Sequence, residues 1–248
     1  MNNINRLPPA FLKARLRIIN SKLELIPNIC VGKHNGRTVV RSYKDKIKHE
    51  YQEGTAKCHE LLSELEFRNS LIMMKEQLEA CLAMSPDVPD IDPSKINSRF
   101  DKDFFDRLRP RAEFEPFVSG YKHKEIYMRS RGELIVADVL DSLDLEYVYE
   151  PVIEINGKTY YPDFVVYLPE FNRCIFIEFL GRLDDKQYVV DNGFKIGNYL
   201  MKGLVINEDL ILFCGWENKM VSSDCMVDDI VALITKFCRM YTVSSNSL

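Results

Sequence analysis

The chain has 248 residues, of which 46% are hydrophobic and 28% charged. This globular balance excludes a disordered chain and suits one enzyme-sized domain plus a smaller element. Its net charge of −4 hides an asymmetry: through His49, eleven Lys or Arg stand against Glu24 and Asp45 alone, a surplus of +9 that leaves −13 for the remainder. A cationic arm on an acidic body is an electrostatic footprint for phosphate, or simply a helical arm with solvated Lys and Arg.

In chain order, the first residues, Met-Asn-Asn-Ile-Asn-Arg, lack a signal-peptide core, and no stretch approaches the ~18 uninterrupted apolar residues of a membrane span. Secretion and membrane insertion are therefore not expected. Leu12, Leu16, Ile19, Leu23 and Ile26 recur at spacings of four and three, which predicts a helix ending before Pro27. Ile29 to Tyr43 alternates around Asn35-Gly36, a dipeptide suited to a two-residue hairpin turn. From Asp45 to Met84 the pattern predicts helix again, with Ile47, Tyr51, Cys58, Leu61, Leu65, Leu71, Met74 and Leu78 on a broad apolar face weakened at Gly54. The two helices are expected to pack as an antiparallel pair, with nucleic-acid binding on the basic side or homo-oligomerisation through the helices as further expectations.

Ser85 to Ser98, with Pro86, Pro89 and Pro93, cannot continue a helix. Residues 1–84 thus form a basic arm, 85–119 a linker with a short helix around Phe100 to Leu108, and 120–248 a second domain. That domain reads as a helix over Met128 to Leu143, strands at Tyr147 to Ile155, Tyr160 to Leu168 and Arg173 to Glu178, a helix over Asp185 to Met201, a strand at Leu210 to Cys214 and a final helix over Val227 to Tyr241. Asn156-Gly157 marks a hairpin between the first two strands. The seven cysteines are scattered, with neither CxxC nor a Cys/His metal spacing, as expected of a reduced, cytoplasmic protein. His34, His49, His59 and His123 likewise show no ligand spacing.

The second and third strands are joined by a loop around Pro169 to Asn172. Pairing symmetric about that loop sets Tyr167 opposite Cys174 and, in the same register, Asp163 opposite Glu178, with Cβ atoms roughly 4.5 to 5.5 Å apart. Two such carboxylates repel, and Ile175-Phe176-Ile177 predicts a buried strand where unpaired charge is costly. A hard cation held by oxygen ligands, Mg²⁺ or equally Mn²⁺, resolves the conflict.

At these residues the sequence resembles the PD-(D/E)xK nuclease superfamily. The motif stands as Tyr160-Tyr161-Pro162-Asp163-Phe164 and Ile177-Glu178-Phe179-Leu180-Gly181. More narrowly, Arg129-Ser130-Arg131-Gly132-Glu133, Tyr149-Glu150-Pro151 and Lys195-Ile196-Gly197-Asn198-Tyr199 look like a branch with the pattern RSxxE, YEP, YPDF, EhxG, KxxxY. The resemblance covers roughly Gly120 to Gly215 and is silent on the arm. It implies an α/β fold with a restriction-endonuclease-like αβββαβ core, and a Mg²⁺-dependent endonuclease that hydrolyses phosphodiester bonds of DNA.

Carried over residue by residue, the resemblance gives Asp163 and Glu178 the metal, helped by the backbone carbonyl of Phe179 and by Glu133. The superfamily's strand lysine is Leu180 here, and Lys195 is the migrated candidate; a solvent-facing lysine is its plain alternative. Lys195 and Tyr199, four apart, share a helical face with Tyr188. Glu133 fits equally the capping box Ser130-x-x-Glu133, but its face with Ala137 and Leu140 would desolvate an unpaired carboxylate. Arg129, Arg131 and Tyr199 are nucleic-acid-binding candidates, and Gly181 is expected to let the chain turn. The competing reading is a catalytically inactive nuclease-fold protein acting in nucleic-acid binding or assembly, for which Leu180 speaks.

Overall fold

A computed structural model describes residues 3–44, 47–85, 87–111, 120–155, 157–216 and 221–242. Asp45, Pro86, Asn156 and the stretch 112–119 of the expected linker lie outside the described residues. The fold is mixed α/β with several small sheets. It divides into two compact units, Pro9–Asp90 and Met1–Pro8 with Ile91–Leu248. The first eight residues therefore join the second unit, and the Pro-rich stretch is shared between the two.

In the smaller unit, α1 (Pro9–Leu25) begins with proline at its first position, where the missing N–H costs nothing. It packs on α2 (Ala56–Leu82), whose N-cap Thr55 accepts from the Cys58 amide at 3.2 Å. Between them run β1 (Asn28–His34), β2 (Arg37–Lys44) and β3 (Ile47–Gln52), an antiparallel sheet in chain order. Asn35 and Gly36 both take positive φ, 49° and 76°, as the expected hairpin requires. β3 corrects the helix expected from Asp45: Ile47 and Tyr51 are four apart, a spacing that keeps one face in a strand as well as in a helix. Gly54, at φ 86°, ends the strand before α2 starts. Ile29 and Val40 pack under Cys58 and Leu61 of α2. On the other face Arg41 and Lys48 reach Glu50 at 2.9 and 3.2 Å, His34 joins them, and Glu50 is held down to about 2 by these donors. Part of the arm's positive surplus is thus spent internally.

The larger unit opens with α3 (Lys102–Arg107), a two-stranded ribbon β4 (Lys122–His123) and β5 (Ile126–Tyr127), and α4 (Arg131–Ser142). Its main sheet contains β6 (Glu146–Tyr149), β9 (Phe164–Leu168), β10 (Arg173–Leu180) and β11 (Leu210–Cys214), in the order β11-β10-β9-β6, with β10 and β11 parallel. A separate hairpin pairs β7 (Ile153–Ile155) with β8 (Lys158–Tyr160). Helices α5 (Lys186–Met201) and α6 (Ser223–Tyr241) complete the unit. Two expected strands are thus each broken: one at Glu150-Pro151, where Glu150 takes φ 40°, the other at Pro162-Asp163, where proline has no N–H for the ladder.

The β9–β10 register is the expected one: Tyr167 faces Cys174 and the ladder ends with Phe164 opposite Ile177. One sheet face carries Val165, Tyr167, Cys174 and Phe176 against Phe100, Phe105 and Leu108, the β7–β8 hairpin and Tyr199 of α5. By alternation Glu178 belongs to this face and Phe179 to the other. Phe179 lies against the first turn of α4, where a Cβ on Gly132 would stand 2.0 Å from its ring. Gly181 also makes room for that ring, since its Cβ would come within 2.8 Å. Its backbone is not among the positive-φ positions, so space rather than a sharp turn explains this glycine.

Gly132→Ala should therefore destabilise the protein by ~1 to 3 kcal/mol through overpacking, and Phe179→Leu should recover part of that loss in the double variant. Chemical denaturation of the four proteins measures the coupling; strict additivity would refute the contact.

Candidate active site

All eight residues of β10 are buried, and Glu178, at 1% exposure, is the acidic group among them. Asp163 lies one residue before β9, half-buried. Its Oδ2 accepts from the Phe179 amide at 2.6 Å, and its carbonyl accepts from the Glu150 amide at 2.9 Å. The two carboxylates anticipated from the register are thus brought together at the ends of adjacent strands.

Helix α5 covers Glu178. Lys195 Nζ donates to Glu178 Oε2 and Tyr199 Oη to Oε1, both at 2.7 Å, while Tyr188 Oη reaches the Phe179 carbonyl at 3.4 Å. The 188, 195, 199 spacing puts all three on the helix face turned to β10, and the helix starts cleanly because the Asp185 side chain caps the Tyr188 amide. Lys195 is therefore not a solvent-facing lysine: its amine is committed to a buried carboxylate. Tyr199 is 0% exposed with its hydroxyl spent on Glu178, so its expected contact with nucleic acid gives way to a positioning role. Leu180 is buried and supplies no amine on the strand.

Glu133, expected to help hold the metal or else to cap α4, has both carboxylate oxygens engaged by protein donors. Oε1 accepts from the Ser130 hydroxyl at 2.8 Å, and Oε2 accepts from Tyr149 Oη at 2.5 Å and the Arg129 amide at 3.0 Å, while Ser130 Oγ caps the Glu133 amide. The capping reading accounts for the bonds with Ser130, while those from Tyr149 and the Arg129 amide lie outside it. Tyr149, quoted in the YEP motif without a role, is the partner that makes a buried glutamate tolerable there; nothing in the sequence pairs a β6 tyrosine with α4. Arg129 places its Nε 2.8 Å from Glu150 Oε1, and Arg131 is exposed on α4.

The electrostatics are those of too much negative charge in too dry a place. Burial, then the nearby Glu178 carboxylate, push the Asp163 carboxyl well above its usual range, with Lys195 and the Phe179 amide countering only in part. Glu178 is also raised, by burial first, although Lys195 and Tyr199 pull it down. One lysine thus faces two carboxylates.

Among the described residues no group of three His, Cys, Asp or Glu is arranged as a metal cage. The donors that do converge are Asp163 Oδ1, which accepts from no described residue, the remaining lone pairs of Glu178, and the Phe179 carbonyl with its single long contact. That set fits Mg²⁺ or Mn²⁺, since Mg²⁺ commonly takes one or two carboxylates and fills its sphere with water and substrate phosphate rather than demanding an all-protein cage.

A carboxyl whose pKa is raised by folding stabilises the fold while protonated. This contribution is present at low pH and is lost as pH rises from about 4 through the folded-state value, at about 1.4 kcal/mol per pH unit while only the native state holds the proton. Asp163→Asn keeps an oxygen for the Phe179 amide and removes the titration. The metal-free variant should match wild type near pH 4 and become progressively more stable than it toward pH 8. A stability difference independent of pH would contradict the strained-carboxylate account. Comparison with known protein families, curated proteins and solved structures finds no match.

Proposed function

We propose that the chain is a divalent-metal-dependent nuclease that hydrolyses phosphodiester bonds, with DNA as the substrate the motif resemblance favours. In this reading the larger unit is a restriction-endonuclease-like αβββαβ core, supported by the strand order β11-β10-β9-β6 between α4 and α5. The observation that carries the proposal is the placement of Asp163, held by the Phe179 amide, beside Glu178 under a helix that offers Lys195 to Glu178.

Asp163, Glu178 and the Phe179 carbonyl would hold Mg²⁺ or Mn²⁺. When bound, the cation supplies Lewis acidity, lowering the pKa of the attacking water and neutralising charge on the phosphoryl oxygens. Tyr199 and Lys195 fix both oxygens of Glu178, and Tyr188 orients the Phe179 carbonyl, so the ligands are preorganised. Lys195, whose amine stands 2.7 Å from Glu178 Oε2, would orient the attacking water or stabilise the developing charge. Glu133 acts one step removed, by holding the capping Ser130 hydroxyl and the Arg129 amide at the start of α4. In the smaller unit Lys33 and Arg37 have no acidic partner among the described residues and suit a supporting phosphate contact.

The assay is single-turnover cleavage of plasmid and of single-stranded DNA in Mg²⁺ or Mn²⁺. Asp163→Ala should abolish it. Lys195→Ala should lower turnover ~100-fold or more with metal affinity little changed, and Lys195→Arg should recover less than its charge suggests, because guanidinium is larger and planar. Wild-type turnover in Lys195→Ala would refute the migrated-lysine role. A wild type that binds nucleic acid yet cleaves nothing with either cation would instead establish the inactive nuclease-fold reading.

A further inference from the structure

Beside Asp163 stands a second cluster, built from the motif residues Arg129, Glu150 and Tyr161 together with Arg111, which no motif contains. Glu150, with φ 40° and a largely buried side chain, is its hub. Its amide donates to the Asp163 carbonyl and its own carbonyl accepts from the Arg111 amide, both at 2.9 Å, so one residue ties the Arg111 backbone to the strand end that presents Asp163. Its carboxylate oxygen Oε1 meets Arg129 Nε at 2.8 Å and only loosely meets Arg111 Nη1, at 3.8 Å. Two guanidinium groups thus share one carboxylate oxygen, a local surplus of positive charge next to a site crowded with negative charge.

The Nε of Arg111 is buried and finds no acceptor among the described residues, as is also true of Arg68 and Arg173, although most buried polar atoms have one. The Arg129 guanidinium meets Glu150 through Nε and is half-exposed, so its outer edge faces solvent. Arg111 stacks with its guanidinium carbon 4.3 Å from the centre of the Tyr161 ring, which fixes the plane of the fork. Tyr161 lies two residues before Asp163, in the segment between β8 and β9, so the stacked guanidinium belongs to the chain that presents Asp163.

We propose that Arg111 and Arg129, spaced by Glu150 and steadied by Tyr161, form a clamp for a nucleic-acid phosphate flanking the one cleaved at Asp163 and Glu178. The inference rests on the nuclease reading for the placement of the strand. The planar fork of guanidinium matches phosphate bidentately, and an anionic oxygen would supply the acceptor that Arg111 lacks. Glu150 keeps the fork oriented when empty and, being a single charge against two, does not neutralise it.

The test is fluorescence anisotropy with the full chain and a labelled DNA duplex or single strand, in Ca²⁺ so that the probe stays intact, over a range of salt concentrations. Arg111→Gln and Arg129→Gln should each weaken binding roughly tenfold and flatten the dependence of log Kd on log salt by about one, the slope of one lost phosphate contact. Arg111→Lys, which keeps the charge but not the fork, should fall between. Should Arg111→Gln fail to fold, Arg111→Lys and Arg129→Gln carry the same comparison. Wild-type affinity and slope in folded variants, or a wild type that binds neither probe, overturns the clamp. If the variants bind like wild type while wild type cleaves, only the clamp fails; if binding depends on Arg111 but nothing is cleaved, only hydrolysis fails.

Discussion

A carboxylate at 1% exposure on a strand buried along its whole length must be compensated locally, and much of the larger unit follows from how Glu178 is compensated. Helix α5 has a single fully buried side chain, Tyr199, and that residue and Lys195 both bond Glu178. Its outward side leaves Val189, Val190, Phe194 and Met201 exposed. The helix is thus positioned by polar bonds to the site at least as much as by apolar burial. Its placement should respond to whatever charge Glu178 carries, which links the chemistry of the site to the packing of the element above it.

The opposite end of β10 shows what a settled buried charge looks like. Arg173 donates to Asp209 at 2.5 Å and to Tyr241 at 3.2 Å, and stacks 4.6 Å from the Phe237 ring, while the second Asp209 oxygen accepts from the Val205 amide. One cation meets one anion there, with further hydrogen bonds around them, although Arg173 Nε finds no acceptor among the described residues. At Glu178 and Asp163 one cation meets two anions, and Asp163 remains raised despite it. The same strand therefore carries a balanced structural pair at its start and an unbalanced pair at its end. Imbalance of that kind is what a functional cation site requires in the absence of the cation.

How far the sequence reveals this depends on which interaction decides each element. The β9–β10 register was legible because a short loop flanked by a buried apolar strand leaves one symmetric pairing, and side-chain alternation then places Asp163 by Glu178. The α5 face was legible because residues four and seven apart must align on a helix. The break at Glu150 was not, since its positive φ is stabilised by bonds to Asp163 and Arg111, both distant in the chain. β3 was hidden because Ile47 and Tyr51 fit both periodicities. Glu133 and Tyr199 carried the right residue types, but their partners, Tyr149 and Glu178, come from other elements, so their burial and satisfaction belong to tertiary structure.

The most direct test of the central claim measures the melting temperature of the purified chain against Mn²⁺ or Mg²⁺ at neutral pH, beside Glu178→Gln. A ligand that binds only the folded state raises stability by mass action. If the crowded carboxylates are a cation site, wild type should rise with metal concentration and saturate. Glu178→Gln, which keeps the shape and loses the charge, should stay flat. No rise in wild type, or the same rise in the variant, would contradict the account.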